Sequence, residues 1–159
     1  MFGLFSSPRI VDAELGELVR SRGYWRGTIN VDAYADVPLA VAGGRAAPDA
    51  PALAAAREVA KRFASWRADI ERSLHEHLEP YAEAIAAGEF PFADEALARL
   101  ASPSEVWVHV SLVFVSVGPL GGSLTTELGL RVAWDEEHTL GVRLQGGRFL
   151  ELCGSTLAP

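Results

Sequence analysis

The sequence predicts an α+β fold in which an antiparallel sheet of about seven strands packs against one long, kinked helix. Apolar residues recur at helical spacing through the middle of the chain, and runs of β-favouring residues lie on both sides of that segment. The connections within each group of strands are of hairpin length, and such connections join antiparallel neighbours. With 159 residues, of which 49% are hydrophobic, the chain is expected to form a single domain over residues 1–159.

Three strands are expected before the helix, within residues 9–44, after an N-terminal tail over residues 1–8. Two runs around residues 21–23 predict a β-hairpin, because the second run is rich in β-favouring residues. A third run, residues 36–42, contains Pro38, which belongs near a strand start or on a sheet edge because proline cannot donate to the ladder.

One long helix is predicted over residues 49–88. Asp49 can cap its start, and Gly88 can end it. Pro80 lies inside the helix and removes a backbone hydrogen bond, so a kink or a break is expected near Leu78. Steps of three and four residues keep one apolar stripe on one helix face. The stripe consists of Val59, Phe63, Trp66, Ile70, Leu74, Leu78, Tyr81 and Ile85.

Four strands are expected after the helix, within residues 104–155. Residues 106–117 are largely apolar on both alternating faces, which predicts a central strand with His109 in its middle. Residues 124–134 alternate, so that Glu127 is expected on a solvent-facing side and its apolar neighbours on the core side. The sequence leaves open whether the two groups of strands form one sheet or two.

The last hairpin is predicted to turn through three residues, 145–147, with a bulge at Gly147. In this register Leu144 pairs with Arg148, and the aliphatic residues of both strands share one face. A two-residue turn would instead place Glu151 on the apolar face, which is costly for an unpaired carboxylate.

The net charge bears on the partners of the chain, and the cysteine content bears on its location. A net charge of −7 opposes binding to phosphate backbones and anionic lipid surfaces, so neither nucleic acid nor a membrane is an expected partner. The same charge keeps a domain soluble or complements a basic protein partner. Cys153 is the only cysteine, so an intrachain disulfide is impossible and a cytoplasmic location is expected. No cofactor is indicated, and the oligomeric state cannot be read from the sequence.

Residues 135–138, Asp-Glu-Glu-His, form the place where several ionisable side chains crowd a predicted turn beside apolar strands. Two carboxylates beside an imidazole can bind a divalent cation or act as an acid/base pair. The alternative is structural, because acidic residues are common in turns and Asp bonds its own backbone there. An enzyme would also need a concave pocket with polar groups from elsewhere. The candidate site residues are Trp134, Asp135, Glu137, His138, His109 and Glu151.

Other reactive side chains suit chemistry less well. His75 and His77 are two residues apart and point to different sides of a helix, whereas a helical metal-binding pair needs a spacing of three or four. A solvated helix surface is therefore expected for both. Cys153 lies in a predicted strand without a histidine partner fixed by the sequence, which disfavours a nucleophile.

Two motifs occupy residues 15–27 and 134–141. The first pairs Leu15-Gly16 with GYWRG, and the second reads WDEEHTLG. Together they resemble a family of bacterial domains of unknown function, over most of the chain. The resemblance implies a bacterial, cytoplasmic α+β domain and assigns no catalytic residues.

The leading functional interpretation is a non-enzymatic domain that binds another protein, with neutralisation of that protein, as immunity proteins do, as one form of it. The alternative is a metal-assisted hydrolase or small-ligand-binding protein centred on residues 135–138. A concave pocket at those residues would favour the alternative, and a flat or convex surface would favour the binding domain.

Overall fold

The computed structural model describes residues 7–159, and its strands form one eight-stranded sheet. A long helix, α1 (Ala50–Ala86), and two 3₁₀ helices, Glu95–Arg99 and Pro103–His109, connect the first four strands to the last four. Residues 1–6, most of the expected N-terminal tail, lie outside the described residues. The strands are β1 (Arg9–Asp12), β2 (Gly16–Ser21), β3 (Tyr24–Val31), β4 (Tyr34–Val41), β5 (Val110–Leu120), β6 (Ser123–Val132), β7 (Asp135–Gln145) and β8 (Arg148–Gly154).

Strands that are neighbours in the sheet are also neighbours in sequence, from β1 to β8. Every pair is antiparallel except β4 and β5, which are parallel. The hairpin rule holds within each group of strands, but α1 lies between the groups, and a long crossover can return the chain in the same direction. The two groups therefore form one sheet, and the expectation of a wholly antiparallel sheet is wrong at its centre.

The expected count of about seven strands is also corrected, to eight. The additional strand is β1, whose four residues pair with β2 through Ile10 opposite Leu18. Four residues are too few for an alternating pattern to distinguish a strand from a tail.

Helix α1 packs its apolar stripe against the sheet, as the periodicity predicted. Its buried residues include Val59, Phe63, Trp66 and Ile70, and they join the sheet residues in one core cluster. The helix is continuous through Pro80, so the alternative of a break is wrong, while a kink stays a prediction. None of the helices among residues 7–159 combines the length and the apolar character that crossing a membrane requires.

Residues 104–109 were expected in a strand and instead belong to the 3₁₀ helix Pro103–His109. Apolar residues fall on every side of a short run here, so periodicity alone cannot separate strand from helix, and Pro103 favours a helical first turn. Val106 is buried, whereas Val108 is 86% exposed. His109 therefore ends a helix and precedes β5, rather than lying in the middle of a strand.

The turn between β6 and β7 consists of Ala133 and Trp134, with Val132 opposite Asp135. Residues 135–138 therefore begin β7 instead of forming the turn, which corrects their expected placement. An irregularity in the β6–β7 register falls within this segment, so its side chains do not alternate strictly, and Asp135 and His138 approach each other.

The β7–β8 hairpin turns through two residues, Gly146 and Gly147, so the predicted three-residue loop is wrong. Both glycines have positive φ angles, 56° and 72°, as a two-residue hairpin turn of this hand requires. Leu144 pairs with Phe149, and an irregularity then shifts the register so that Arg143 pairs with Glu151. The extra residue lies in β8 after the turn, and it keeps Glu151 off the face that carries Val142.

Candidate functional site

Asp135 begins β7 with its side chain directed at helix α1, where it is only 9% exposed. The Tyr81 hydroxyl of α1 donates to its Oδ2 atom over 3.2 Å, and the Nδ1 atom of His138 lies 2.8 Å from its Oδ1 atom. His138 itself is 68% exposed. The Asp135 carboxylate therefore links the start of β7 to the C-terminal part of α1.

The electrostatics of this group follow from its hydrogen bonds. Burial alone raises the pKa of Asp135, but the hydrogen bonds with His138 and Tyr81 outweigh it, so the pKa lies below the ordinary value. The hydrogen bond to Asp135 raises the pKa of His138. The pair therefore favours a charged imidazolium beside a charged carboxylate, an arrangement that fixes the strand end and can also hold a proton at the surface.

Trp134 and His77 form a second link between the same two elements. The indole N–H of Trp134 donates to Nδ1 of His77 over 3.0 Å, and Trp134 is 7% exposed. Burial lowers the pKa of His77, because a charged imidazolium is poorly solvated there. The expectation of a solvated helix surface is therefore wrong for His77, which serves as the acceptor for a buried tryptophan.

The other predicted site residues do not join these hydrogen bonds. His109 lines a depression beside the group, together with Arg131, Ala133 and Glu136. Glu151 instead pairs with Arg143 over 2.7 Å, near the sheet edge, and Glu137 is exposed. Within residues 7–159, no three His, Cys, Asp or Glu side chains are grouped to hold a metal ion.

An apolar concave surface lies elsewhere, between the first half of α1 and the tips of the β5–β6 and β7–β8 hairpins. This groove has a volume of about 480 Å³. The indole N–H of Trp66 donates to the carbonyl of Gly147 over 3.0 Å, which fixes the β7–β8 turn against the helix. We call this surface the binding groove; its lining includes Ala55, Glu58, Arg62, Trp66, Leu124, Leu144 and Gly147.

Arg62 is the cation of the binding groove. Its guanidinium lies over the Trp66 ring, with 5.9 Å from Cζ to the ring centroid. It makes no ion pair with any residue of the described range, whereas the neighbouring Glu58 pairs with Lys61. A Cβ atom at residue 147 would collide with the Arg62 guanidinium, so glycine permits this close approach. From the sequence, Gly146 and Gly147 are expected only as part of a turn.

Glu127 was expected on a solvent-facing side and is fully buried. Residues 155–157, which follow β8, cover its carboxylate and supply three hydrogen-bond donors to it. Arg143 of β7 also approaches it, over 3.4 Å. The alternation within β6 correctly separates Glu127 from the apolar residues on the other face. The sequence of β6 itself does not indicate that residues 155–157 cover the face that carries Glu127.

Asp12 is a second buried carboxylate that the sequence did not single out. It accepts hydrogen bonds from the backbone N–H groups of Glu14 and Leu15 and from Nε of Arg57 over 3.1 Å. The hydrogen bond from Arg57 lowers the pKa of Asp12 from 3.8 to about 2. Asp12 thus shapes the β1–β2 turn and attaches it to α1.

Cys153 is partly buried, and burial raises the pKa of its thiol. Its Sγ atom lies 3.6 Å from the carbonyl of Gly141, which is a weak structural contact. A thiol with a raised pKa is less ionised at neutral pH and therefore a poorer nucleophile.

A family model described as a domain of unknown function, DUF6985, matches residues 14–156. A family of such domains was expected from the resemblance, and that expectation is confirmed. The specific motifs and the bacterial origin stay predictions. No curated protein and no solved structure matches the chain.

Proposed function

Since the chain belongs to the DUF6985 family of domains of unknown function, we propose its function from its own geometry. It is a non-enzymatic domain that binds another protein, and the binding groove receives an apolar side chain of that partner. The single observation that carries this proposal is an open, apolar groove whose rim holds Arg62, an arginine without an ion-pair partner among residues 7–159.

The groove has the properties of an anchoring pocket. Interfaces obtain most of their affinity from a few side chains that fill well-packed pockets, with Trp and Arg prominent among them. Trp66 forms a wall that its hydrogen bond to Gly147 holds in place, and Leu124 and Leu144 supply apolar surface. A pre-formed pocket also reduces the ordering cost of binding.

The charges of the chain define the partner further. A net charge of −7 steers a partner that is basic overall, because long-range attraction raises the association rate. At the groove itself, Arg62 requires a carboxylate beside the apolar anchor, because an arginine pairs most strongly with such a group. The proposed contact segment therefore carries an apolar residue next to an acidic one. We place this binding in the cytoplasm, where Cys153 stays reduced.

The alternative centred on residues 135–138 receives less support. Asp135 and Trp134 are engaged with Tyr81 and His77 of the helix. The depression beside them, lined by His109, Arg131 and Glu136, is more polar than the binding groove. Neutralisation of the bound protein, as immunity proteins do, remains one form of the proposal.

A displayed random-peptide library, selected on the intact chain, tests the proposal. We expect the selected peptides to share an apolar residue beside Asp or Glu. The variant Ala55→Trp fills the groove and should abolish their binding. Ala64→Trp, at an exposed position of α1 outside the groove, makes the same substitution and should leave binding unchanged.

Thermal melts of both variants establish that each is folded. Selected peptides that bind Ala55→Trp as well as the unaltered chain would show that the groove is not the binding surface. Selection that yields no binding peptide would also contradict the proposal.

A further inference from the structure

Glu127 is a fully buried carboxylate on the face of β6 opposite α1. Its side chain lies over Gly141 of β7, where an added Cβ atom would approach the Glu127 Cδ atom to 2.8 Å. A buried carboxylate is unfavourable unless hydrogen bonds and an opposite charge compensate it. The compensation here comes chiefly from one short segment of the chain, residues 155–157, which we call the strap.

The strap contacts Glu127 through one side-chain hydroxyl and two backbone N–H groups. The Ser155 hydroxyl donates over 2.6 Å, and the backbone N–H groups of Thr156 and Leu157 donate over 3.2 Å and 3.1 Å, all to Oε1. Arg143 completes the recognition by donating to the Thr156 hydroxyl over 2.7 Å. Glu127 and Arg143 together therefore bind two consecutive backbone N–H groups and two hydroxyl groups of the strap.

Removal of the strap would not leave Glu127 as an unpaired buried charge. The strap itself covers the carboxylate, so that departure of the strap lets water reach it. Arg143 would remain beside it, because Arg143 is also held by Glu151 over 2.7 Å. The hydroxyl of Ser116, opposite Glu127 in the β5–β6 register, is buried and has no hydrogen-bond partner among the described residues. This face thus retains unused hydrogen-bonding capacity next to the carboxylate.

We propose that Glu127 and Arg143 form a peptide-binding site, which the strap occupies within its own chain and a Ser-Thr-containing peptide can occupy instead. The ligand class is an extended peptide with a serine, a following threonine and two free backbone N–H groups. The strap of a second copy of this chain fits the same description. The site is on the opposite face from the binding groove, so its failure would leave the proposed function untouched.

Fluorescence anisotropy with a labelled peptide of sequence GSTLAP, residues 154–159, tests the proposal on the full chain. The double variant Thr156→Pro with Leu157→Pro removes both N–H donors from the strap and should populate the open site. Apparent affinity rises in proportion to the fraction of open sites, so we expect the peptide to bind this variant about ten-fold or more tightly than the unaltered chain.

Two controls make the result specific. A peptide with alanine in place of the serine should bind more weakly, and Glu127→Gln added to the double variant should remove the gain. A folded double variant that binds no peptide would overturn the proposal, as would binding that survives Glu127→Gln.

Hydrogen exchange of the unaltered chain gives a second test that does not depend on the folding of the variant. The amides of Thr156 and Leu157 should exchange through local opening, faster than the amides at the centre of β6. Equal protection of the strap and β6 would mean that the strap leaves only when the whole chain unfolds, and would overturn the proposal.

Discussion

Three carboxylates, those of Asp12, Glu127 and Asp135, each connect parts of the chain that are distant in sequence. Asp12 accepts from Arg57, 45 residues away, and Asp135 accepts from Tyr81, 54 residues away. Each carboxylate is shielded and also has several hydrogen-bond donors, the combination that lets a buried charge persist. These side chains fix the turn before β2, the segment after β8 and the start of β7.

Replacement of Asp12 by asparagine should destabilise the chain and change its response to acid. The loss of charged hydrogen bonds is expected to cost roughly 1 to 3 kcal/mol at neutral pH. The pKa of Asp12 is about 2 in the folded chain and 3.8 ordinarily, so its stabilisation is present above pH 3.8 and is lost as the pH falls toward about 2. Urea melts in this range should show a shallower decline for Asp12→Asn. Parallel declines in the variant and the unaltered chain would contradict this role.

The two histidines near β7 should titrate on opposite sides of the ordinary value of 6.5. Asp135 raises the pKa of His138, and burial lowers the pKa of His77. Stability from the His138–Asp135 pair is therefore present below pH 6.5 and lost as the pH rises through the folded pKa of His138. An NMR titration should give the two midpoints, and Asp135→Asn should lower that of His138. An unchanged His138 midpoint in this variant would show that Asp135 does not set it.

At the scale of elements, helix α1 organises the core from one side of the sheet. Phe63 and Trp66 are 3% and 5% exposed, and Phe63 contacts the Trp107 ring edge-on with centroids 5.8 Å apart. The helix therefore depends on tertiary packing of its stripe more than on its own hydrogen bonds. The same contact between Phe63 and Trp107 attaches the 3₁₀ helix Pro103–His109 to α1.

Phe63→Ala should lower the free energy of unfolding by about 3 to 5 kcal/mol, because it leaves a cavity against the sheet. Phe92→Ala is the matched control, since Phe92 is 99% exposed, and its effect should stay within about 0.5 kcal/mol. Denaturant melts measure both. Similar losses in the two variants would contradict the burial of the stripe.

The elements differ in how far their sequences predict them. The helix and its buried face are predicted by apolar residues that recur every three or four positions along many residues. The single proline at position 80 does not disrupt this pattern. The β7–β8 register was not predictable, because a single extra residue near Leu150 reverses which face each later side chain occupies. The alternating pattern predicts either a three-residue turn or a regular two-residue turn, whereas the structure has a two-residue turn followed by a bulge in β8.

The candidate site shows the same division. The sequence identified residues 134–138 as a group, and in the structure Asp135 bonds His138 while Trp134 separately bonds His77 of α1. It could not identify the binding groove, because Trp66 and Gly147 are 81 residues apart and meet only after the sheet and helix have packed. The burial of Glu127 was not predicted for the same reason, because the strap that covers it lies about 30 residues further along the chain.

At the scale of the whole molecule, one eight-stranded sheet separates two different surfaces. The side with α1 carries the binding groove, where an apolar hollow meets the guanidinium of Arg62. The opposite side carries Glu127 and the strap. The parallel β4–β5 pair lies at the centre of the sheet and joins the two groups of strands into one sheet. The hydrogen bond from Trp66 to Gly147 ties α1 to the β7–β8 turn.

The dissociation constant of a selected peptide for Arg62→Glu, measured beside that for Arg72→Glu, tests the binding groove most directly. Both substitutions change the net charge equally, and Arg72 is an exposed residue of α1 outside the groove. Loss of a charged hydrogen bond costs roughly 1.5 to 3 kcal/mol, so Arg62→Glu should weaken binding by about ten-fold or more. Arg72→Glu should change it by less than about two-fold. Equal weakening by both variants, or none by Arg62→Glu, would contradict the assignment of the groove as the partner-binding surface.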